Sequence, residues 1–425
     1  MNGLTPRFSI TLPAWSTRRK IAFRFLLVFT VLFILTLPFP KPYIPDIASA
    51  MAPFFERIIH WLGDHLFKIK GYYSSRLISD STGLYIHLLL LLFLTFLVTL
   101  VWSIADKKRN SYHMLAWWFR VVASYYLAFF LLSYGLNKLF KWQFYLPEPN
   151  TLFTSMGNTY RDLLYWSTMG TSHSYNVFLG SLEIVAALLL LFRKTRLTGS
   201  LLAFMIMLNV VAINFSFDIS VKIFSCFLLF LSVIIALPDG KRLYTFFFTG
   251  KTSVGYQWQP EYVSPRMKSL YIAGKCLIVA YMLTSLLSVY IRSGNFNDDK
   301  AARPEFHGAY DISFFIKNND TLPPLTTDTY RWKRMFIHRR GWLIIQSMND
   351  AMQDYLFQAD TVKKQWVIKM QKGSGEAVLN YQQTSDTTIR LRSKIGADSL
   401  DIYLQRIDLA KLPLMQKEFN WTVEQ

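Results

Sequence analysis

The chain has 425 residues, of which 52% are hydrophobic, 16% aromatic and only 17% charged. Soluble domains average about 25% charged residues, so this composition excludes an ordinary soluble protein and favours a membrane protein. The net charge is +19, but much of the basic excess flanks apolar runs, as in membrane proteins, and we expect no nucleic-acid partner. The two cysteines, Cys226 and Cys276, lie inside apolar runs, so we expect neither a disulfide framework nor a metal site.

Seven apolar runs have the length of about 20 residues that a membrane-spanning helix needs. They cover residues 21–38, 84–104, 114–137, 174–192, 197–216, 220–237 and 269–291. Basic clusters occupy alternate connections between the runs, as in "DKKR" at 106–109 and "RKTR" at 193–196. The positive-inside rule assigns these connections to the cytoplasm. The N-terminus is therefore predicted inside, and everything after about residue 292 outside.

The N-terminal part, residues 1–113, contains the first two runs and a segment between them, 51–69, with apolar residues at helical spacing. This segment predicts an external amphipathic helix, either lying on the membrane surface or packed on the helical bundle. The first run follows "STRRK" and precedes "ASA" at 48–50, a pattern similar to a cleaved secretory signal. Four prolines lie between the last residue of the run, Pro38, and Ala48 when Pro38 itself is included, so we predict an uncleaved first helix.

Four further runs lie within residues 114–240 and predict a four-helix transmembrane bundle. An external connection, 139–173, interrupts this bundle, and its tyrosines and tryptophans suit the membrane interface. Residues 241–294 then contain a cytoplasmic connection and the seventh run.

From about residue 305 the chain changes to short, partly alternating segments rich in aromatic and β-branched residues. Turn signals separate them at Asn318-Asn319-Asp320, Arg340-Gly341, Asn349-Asp350, Gly373-Ser374-Gly375 and Gly396. Residues 305–425 therefore predict an extracytoplasmic all-β meander of about eight or nine strands, either a barrel or a sandwich. Its start, "GAYDI" at 308–312, is similar to the G-x-W start of lipocalins, with Tyr310 in place of the tryptophan.

One acid, Glu183, lies in the middle of an apolar run, where a charged side chain costs about 2.5–3.5 kcal/mol. It should therefore face the protein and have a polar partner, and Gly180 and Ala187 on the same stripe would let another helix approach closely. Polar residues of the same run and of the neighbouring helices are predicted in the outer half of the bundle, with Asn176 on the same stripe as Glu183. These are Lys138, Asn176, Asn209, Asn214, Asp218 and Lys222. With Glu183 they predict a buried polar cluster, either a functional pocket or a structural lock between helices.

Three stretches resemble a known family: "YGLNKLFKWQF" (134–144), "WSTMGTSHSYNVFLGSLEIVAALLLLFRKTRLTGSLL" (166–202) and "NVVAINFSFDISVKIFS" (209–225). They resemble the DoxX-like membrane family, a four-helix bundle with a G-x-x-K motif at the end of its first helix and an acid on its second. By this match Gly135 and Lys138 form the motif, and Glu183 is the acid. The resemblance covers about residues 114–240 and implies the cytoplasmic membrane of a bacterium. The additional helices and the β-domain depart from the minimal family.

The resemblance implies an association with membrane redox chemistry, in which a quinone is one candidate cofactor, and the residues themselves assign no cofactor. We predict a DoxX-like integral membrane protein that binds a lipid or a protein partner through its β-domain and its outer polar pocket. One alternative is a quinone-linked redox accessory subunit, in which Glu183 and Lys138 exchange protons or bind a head group. Another is a carrier of a small solute. The residues identify no reaction.

Overall fold

The computed structural model describes residues 14–37, 47–77, 79–251, 265–370, 375–416 and 422. The chain divides into two compact units. The helical unit comprises Met1–Leu139 and Phe178–Phe296, and the barrel unit comprises Phe140–Val177 and Asn297–Gln425. The predicted external connection therefore belongs to the same unit as the β-strands.

The longer helices coincide with the apolar runs, and polar side chains cap two of their starts. Ser16 accepts a hydrogen bond from the backbone of Arg19, and Ser81 accepts one from Leu84. The α-helices are α1 (Thr17–Thr36), α2 (Ile47–His65), α3 (Thr82–Ala105), α4 (His113–Leu139), α5 (Pro149–Leu152), α6 (Arg161–Thr171), α7 (His173–Leu191), α8 (Arg196–Ser216), α9 (Lys222–Ala236), α10 (Gly240–Thr249) and α11 (Pro265–Ser293). Short 3-10 helices cover Met156–Asn158, Leu237–Asp239, Asp298–Lys300, Leu409–Lys411 and Pro413–Met415.

Six helical segments within the described residues are long and apolar enough to span a membrane, which confirms the prediction of a membrane protein. They are Thr82–Ala105, His113–Leu139, His173–Leu191, Arg196–Ser216, Lys222–Thr249 and Pro265–Lys300. The first predicted run does form a helix, α1, but four basic residues (Arg18, Arg19, Lys20 and Arg24) lie within it. It does not join the six, so the predicted count of seven membrane-spanning helices is not confirmed.

Helix α2 packs on the bundle. Its Phe55 and Ile59 are buried in one apolar cluster with Leu91 of α3 and Leu127 of α4. Of the two predicted positions for this amphipathic helix, packing on the bundle is the one observed. The "ASA" sequence at 48–50 forms part of the same helix, and the proline-rich stretch 38–46 lies outside the described residues.

The barrel unit contains an antiparallel sheet that closes on itself. Its strands are β1 (Gly308–Lys317), β2 (Asp320–Thr321), β3 (Trp332–His338), β4 (Trp342–Ser347), β5 (Met352–Asp360), β6 (Gln365–Met370), β7 (Glu376–Gln383), β8 (Thr388–Ile395) and β9 (Asp398–Ile407). Strands β3 to β9 pair in sequence order, and β1 pairs with both β3 and β9. The result is an eight-stranded barrel, with the two-residue β2 beside β1. Of the predicted barrel and sandwich, the barrel is confirmed.

Turn chemistry agrees with the predicted strand boundaries. Asn318, Asn319 and Asp350 have positive φ angles, which asparagine and aspartate tolerate better than other side chains. Gly341 (φ +72°) and Gly396 (φ +63°) connect β3 to β4 and β8 to β9. The predicted turn at Gly373-Ser374 lies outside the described residues.

Side chains fill the interior of the barrel. Trp366, Phe315, Leu343 and Ile402 are fully buried there and pack in one apolar cluster. An eight-stranded barrel is just wide enough for side chains to occupy its interior. The strand order is the up-and-down order of lipocalin-like barrels, but apolar side chains form a packed core in this interior.

The segment 140–177 covers part of the outer barrel surface. Phe153, directly after α5, stacks on Phe336 of β3 with ring centroids 5.6 Å apart. Phe336, Ala309 and Ile344 form a second apolar cluster outside the barrel core, and Phe153 packs against it. This contact explains why a stretch far away in the sequence belongs to the barrel unit.

A buried carboxylate, Glu148, anchors the same segment. It is only 4% exposed and accepts hydrogen bonds from the Arg339 side chain and, at 3.2 Å each, from the Arg339 backbone and from His307. Arg339 also donates to Asp298. Burial favours the neutral acid, but the His307 hydrogen bond and the Arg339 charge outweigh it and hold the pKa of Glu148 at about 2.

This low pKa predicts that the barrel unit loses stability in acid. A carboxylate whose pKa is about 2 when folded and about 4.5 when unfolded stabilises the fold above pH 4.5, and the contribution disappears as the pH falls to 2. The full effect is about 3 kcal/mol. We expect the melting temperature of the wild type to drop between pH 5 and pH 3, and Glu148→Gln to be less stable at pH 7 with a smaller drop. Glu376→Gln, in an exposed pair with Lys369, should behave as the wild type. Equal pH profiles for Glu148→Gln and the wild type would contradict this assignment.

Candidate functional site

Four of the seven predicted site residues form two ion pairs inside the helical unit, and the pair of Lys138 and Glu183 is the buried one. The Lys138 ammonium donates to both carboxylate oxygens of Glu183, at 2.8 and 2.9 Å. The two side chains are only 8% and 3% exposed. The Tyr134 ring centroid lies 5.7 Å from the same ammonium. Both charges are therefore buried and satisfied by each other, which is what an acid inside a bilayer requires.

Two glycines let α4 and α7 meet at this pair. A Cβ atom on Gly180 would lie 2.6 Å from the carbonyl oxygen of Gly135, and one on Gly135 would lie 2.8 Å from that of Gly180. Both distances are too short for any larger residue without movement of the backbone. The two glycines lie three residues before Lys138 and Glu183 respectively, so the close crossing and the ion pair belong to one joint. We call it the α4–α7 joint.

Lys222 belongs to a different group. Its ammonium lies 2.7 Å from Asp218, a carboxylate that is 81% exposed, and 3.9 Å from Asp80. Asp80 also accepts hydrogen bonds from the backbone of Lys222 and Ile223, at 2.7 and 3.1 Å, and thereby caps the start of α9. Because Asp80 precedes α3 and no apolar run contains it, the helical patterns did not point to it.

The three asparagines that are predicted to lie in one cluster with Glu183 are not part of the α4–α7 joint. Asn209 is exposed on α8, so its assignment to a buried cluster is wrong. Asn214 is buried, but its amide nitrogen has no hydrogen-bond partner among the described residues. Asn176 is fully buried in the barrel unit, where it donates to the carbonyls of Met169 and Ser172. The seven predicted residues therefore do not form one cluster. They divide into the buried Lys138–Glu183 pair, the group of Lys222 and Asp218 at the start of α9, and three separate amides.

An apolar cleft of about 630 Å³, which the sequence patterns do not predict, lies between α4 and α11. It has six aromatic residues in its walls and contains Gly274 and Lys275 on the α11 side. The aromatic residues are Trp118, Tyr125, Tyr126, Phe129, Tyr271 and Tyr281. Two stripes with the same i, i+3, i+4, i+7 and i+11 spacing line the cleft, starting at Trp118 and at Tyr271. Each stripe alone is typical of a packed helix face, and only their pairing indicates a cleft.

The cleft exists because α4 and α11 run parallel and meet near their ends. Near the start of both helices the Trp117 and Tyr271 rings lie 6.3 Å apart. Near the other end the Tyr290 hydroxyl donates to the Asn137 side chain at 2.7 Å. Between these contacts small residues, Val121 and Val122 on α4 and Gly274 on α11, leave the space open.

The α4–α7 joint predicts a specific stability pattern. Removing one member of a buried pair leaves an unpaired charge and typically costs about 3–5 kcal/mol, whereas replacing both members by apolar residues is often neutral. Glu183→Leu and Lys138→Met should each lower the melting temperature in detergent, and the double variant should recover most of the loss. The melting temperature of Glu183→Gln should lie between those of the wild type and Glu183→Leu, because an amide keeps a hydrogen-bond acceptor but carries no charge. Asp218→Asn, in the exposed pair, should change little. A Glu183→Leu protein as stable as the wild type would show that the pair does not hold the helices together.

Comparisons with known proteins give one informative match. No family model matches the chain, and no solved structure matches it. The chain is 34% identical over 117 residues to the uncharacterized protein YwoB of Bacillus subtilis (strain 168), a match that spans 28% of this chain and 74% of YwoB. The name YwoB denotes no activity, so the resemblance to DoxX-like proteins stays a prediction. At this identity and coverage, the chain belongs to the same family as the uncharacterized protein YwoB.

Proposed function

We propose that this protein is a DoxX-like integral protein of the bacterial cytoplasmic membrane that binds the apolar tail of an amphipathic lipid in the cleft between α4 and α11. The cleft is the observation that carries this proposal. Ligand sites are typically clefts with a volume of about 300–1,000 Å³ and mainly apolar and aromatic walls, and this cleft has that size and that lining.

The surroundings of the cleft support a lipid more than a soluble ligand. Helix α11 exposes apolar side chains along much of its length, including Leu270, Leu277 and Ile278, so a bilayer is its expected solvent. A cleft that opens to such a surface is reached from the hydrocarbon phase. Helices α4 and α11 contact each other near both ends, and the open space between these two contacts can hold an acyl or isoprenoid chain.

The two other predicted sites support this proposal less well. The Lys138–Glu183 pair is closed, and each charge already has its counter-charge, so the α4–α7 joint has the properties of a lock. The barrel interior is packed, so a lipid site inside the β-domain is not supported. The barrel unit then contributes through its outer surface, as a module that binds a protein partner outside the membrane.

A quinone is the main alternative occupant. Its isoprenoid tail has the same chemistry as the tail that we propose, and six aromatic rings offer stacking surfaces for its head. The quinone-linked accessory subunit therefore uses the same cleft. The two candidates differ in the head group, and a chemical analysis of bound lipid separates them.

Gly274→Leu tests the cleft directly. A Cβ atom on Gly274 meets nothing within 4 Å, so the larger side chain enters open space without displacing the helix. We expect the wild type, purified in mild detergent, to retain lipid that mass spectrometry of a solvent extract detects, and Gly274→Leu to lose most of it. Gly240→Leu, at a glycine that is equally open but outside the cleft, should retain it. Extraction of a quinone would support the redox alternative, and equal lipid retention in all three proteins would refute the cleft as a binding site.

The predicted orientation gives an independent test. The basic connections at 106–109 and 193–196 predict that their side faces the cytoplasm. The parallel course of α4 and α11 supports this prediction, because both helices would start on that side. A reporter fused after Gln425 should be active only outside the cytoplasm, and one inserted at Lys108 only inside it. Digestion of the barrel unit by a protease applied to the cytoplasmic face alone would contradict this topology.

A further inference from the structure

A group of basic residues lies beside the cleft near the starts of α8 and α11. Lys275 lines the cleft, and its ammonium lies 4.3 Å from the centre of the Phe192 ring. Phe192 and Arg193 belong to the short connection between α7 and α8, and Arg196 directly follows that connection. Arg120 precedes the cleft residue Val121 on α4. We call Arg120, Arg193, Arg196 and Lys275 the basic group.

The described carboxylates do not balance this charge. Arg120 pairs with Asp239 at 2.6 Å. None of the described carboxylates forms a salt bridge with Arg193, Arg196 or Lys275. The positive charges of Arg193, Arg196 and Lys275 therefore repel one another, and an anion bound between them would reduce this repulsion.

Arg196 makes this imbalance significant because it is buried. It is only 6% exposed, and within the described structure its guanidinium donates only one long hydrogen bond, from Nε to the Leu190 carbonyl at 3.5 Å. Buried arginines usually have a carboxylate or phosphate partner, because an unpaired buried charge is costly. Arg196 is also the first residue of α8, where the backbone N–H groups add positive partial charge.

The side chain of the residue before α8 does not cap the helix. Thr195 precedes the helix, but its hydroxyl bonds to the Leu189 carbonyl and caps no N–H of α8. Anionic groups bind readily at such helix starts. Charge, burial and helix geometry thus indicate an anion at the same place, next to a cleft that suits an acyl chain.

We propose that the cleft binds an anionic phospholipid, with its tail between α4 and α11 and its phosphate held by Arg196 and Lys275. This inference rests on the proposed function and specifies the head group of the lipid. A planar guanidinium binds two phosphate oxygens at once, whereas a lysine ammonium acts as a single charge. Arg196 therefore fixes the head group, and Lys275 adds attraction at the cleft edge. Phosphatidylglycerol has this chemistry, whereas the added choline of phosphatidylcholine cancels the phosphate charge.

The test compares these two lipids with identical acyl chains. Binding of each lipid to the purified full-length protein is titrated by native mass spectrometry. We expect phosphatidylglycerol to bind at least tenfold more tightly than phosphatidylcholine. Arg196→Gln should weaken phosphatidylglycerol binding about tenfold or more, the value for losing one charge-assisted hydrogen bond. It should weaken phosphatidylcholine binding much less, because the choline of that lipid already offsets the phosphate charge.

Matched variants separate specific binding from general attraction to a basic surface. Lys194→Gln removes one charge from the same turn at an exposed position and should leave both affinities unchanged. Lys275→Gln provides the same measurement should Arg196→Gln fail to fold, since Lys275 is only partly buried. Equal losses from Lys194→Gln and Arg196→Gln would overturn the proposal.

The outcomes also distinguish this inference from the proposed function. Gly274→Leu should abolish binding of both lipids, because it fills the cleft. If the wild type binds both lipids equally and Gly274→Leu blocks both, the cleft binds lipid but does not select its head group, and the present inference is wrong. If Gly274→Leu changes the binding of neither lipid, the proposed function fails and this inference fails with it.

Discussion

The structure of the helical unit depends on the α4–α7 joint, where Lys138 and Glu183 neutralise each other beside two glycines in backbone contact. A bilayer penalises an unpaired charge, so neither helix can rotate or slide without breaking the pair. At the same time, Gly135 and Gly180 let the helices come close enough for the pair to form. The charge therefore determines the register of the two helices, and the small residues determine their separation.

The α4–α7 joint and the cleft both include residues of α4, so the joint also constrains the position of one cleft wall. At 100° per residue, Gly135 and Lys138 lie on one face of α4, whereas Trp118, Tyr125 and Phe129 lie on another. Helix α11 then meets α4 at Tyr271 and at Tyr290, and Met282 of α11 is buried in the core of the bundle. One face of α4 is thus closed by charge and close packing, and the other remains open to a ligand.

Much of the fold follows from local patterns in the sequence, whereas the contacts between distant segments do not. Alternation and turn residues such as Asn318-Asn319 predict the strands, and the cost of Glu183 in an apolar run predicts a buried partner. Depth alone, however, placed Asn209 in the cluster. Asn209 lies two residues after the buried Met207. Two residues correspond to a rotation of about 200° around α8, so Asn209 lies on the exposed side of the helix. The contact between Glu148 and Arg339 joins residues 191 positions apart, so no local pattern could predict it.

The two charged regions of the helical unit differ in how their charges are balanced. At the α4–α7 joint one base meets one acid, both side chains are buried, and each supplies the other's hydrogen bonds. In the basic group, four cations meet a single described acid, and that acid pairs with Arg120. A buried charge needs a counter-charge, and where the described side chains do not provide one, a bound anion can. We propose that the aromatic cleft binds the apolar tail of that anion. On this proposal a protein side chain supplies the counter-charge at the α4–α7 joint, and a lipid head group supplies it in the basic group.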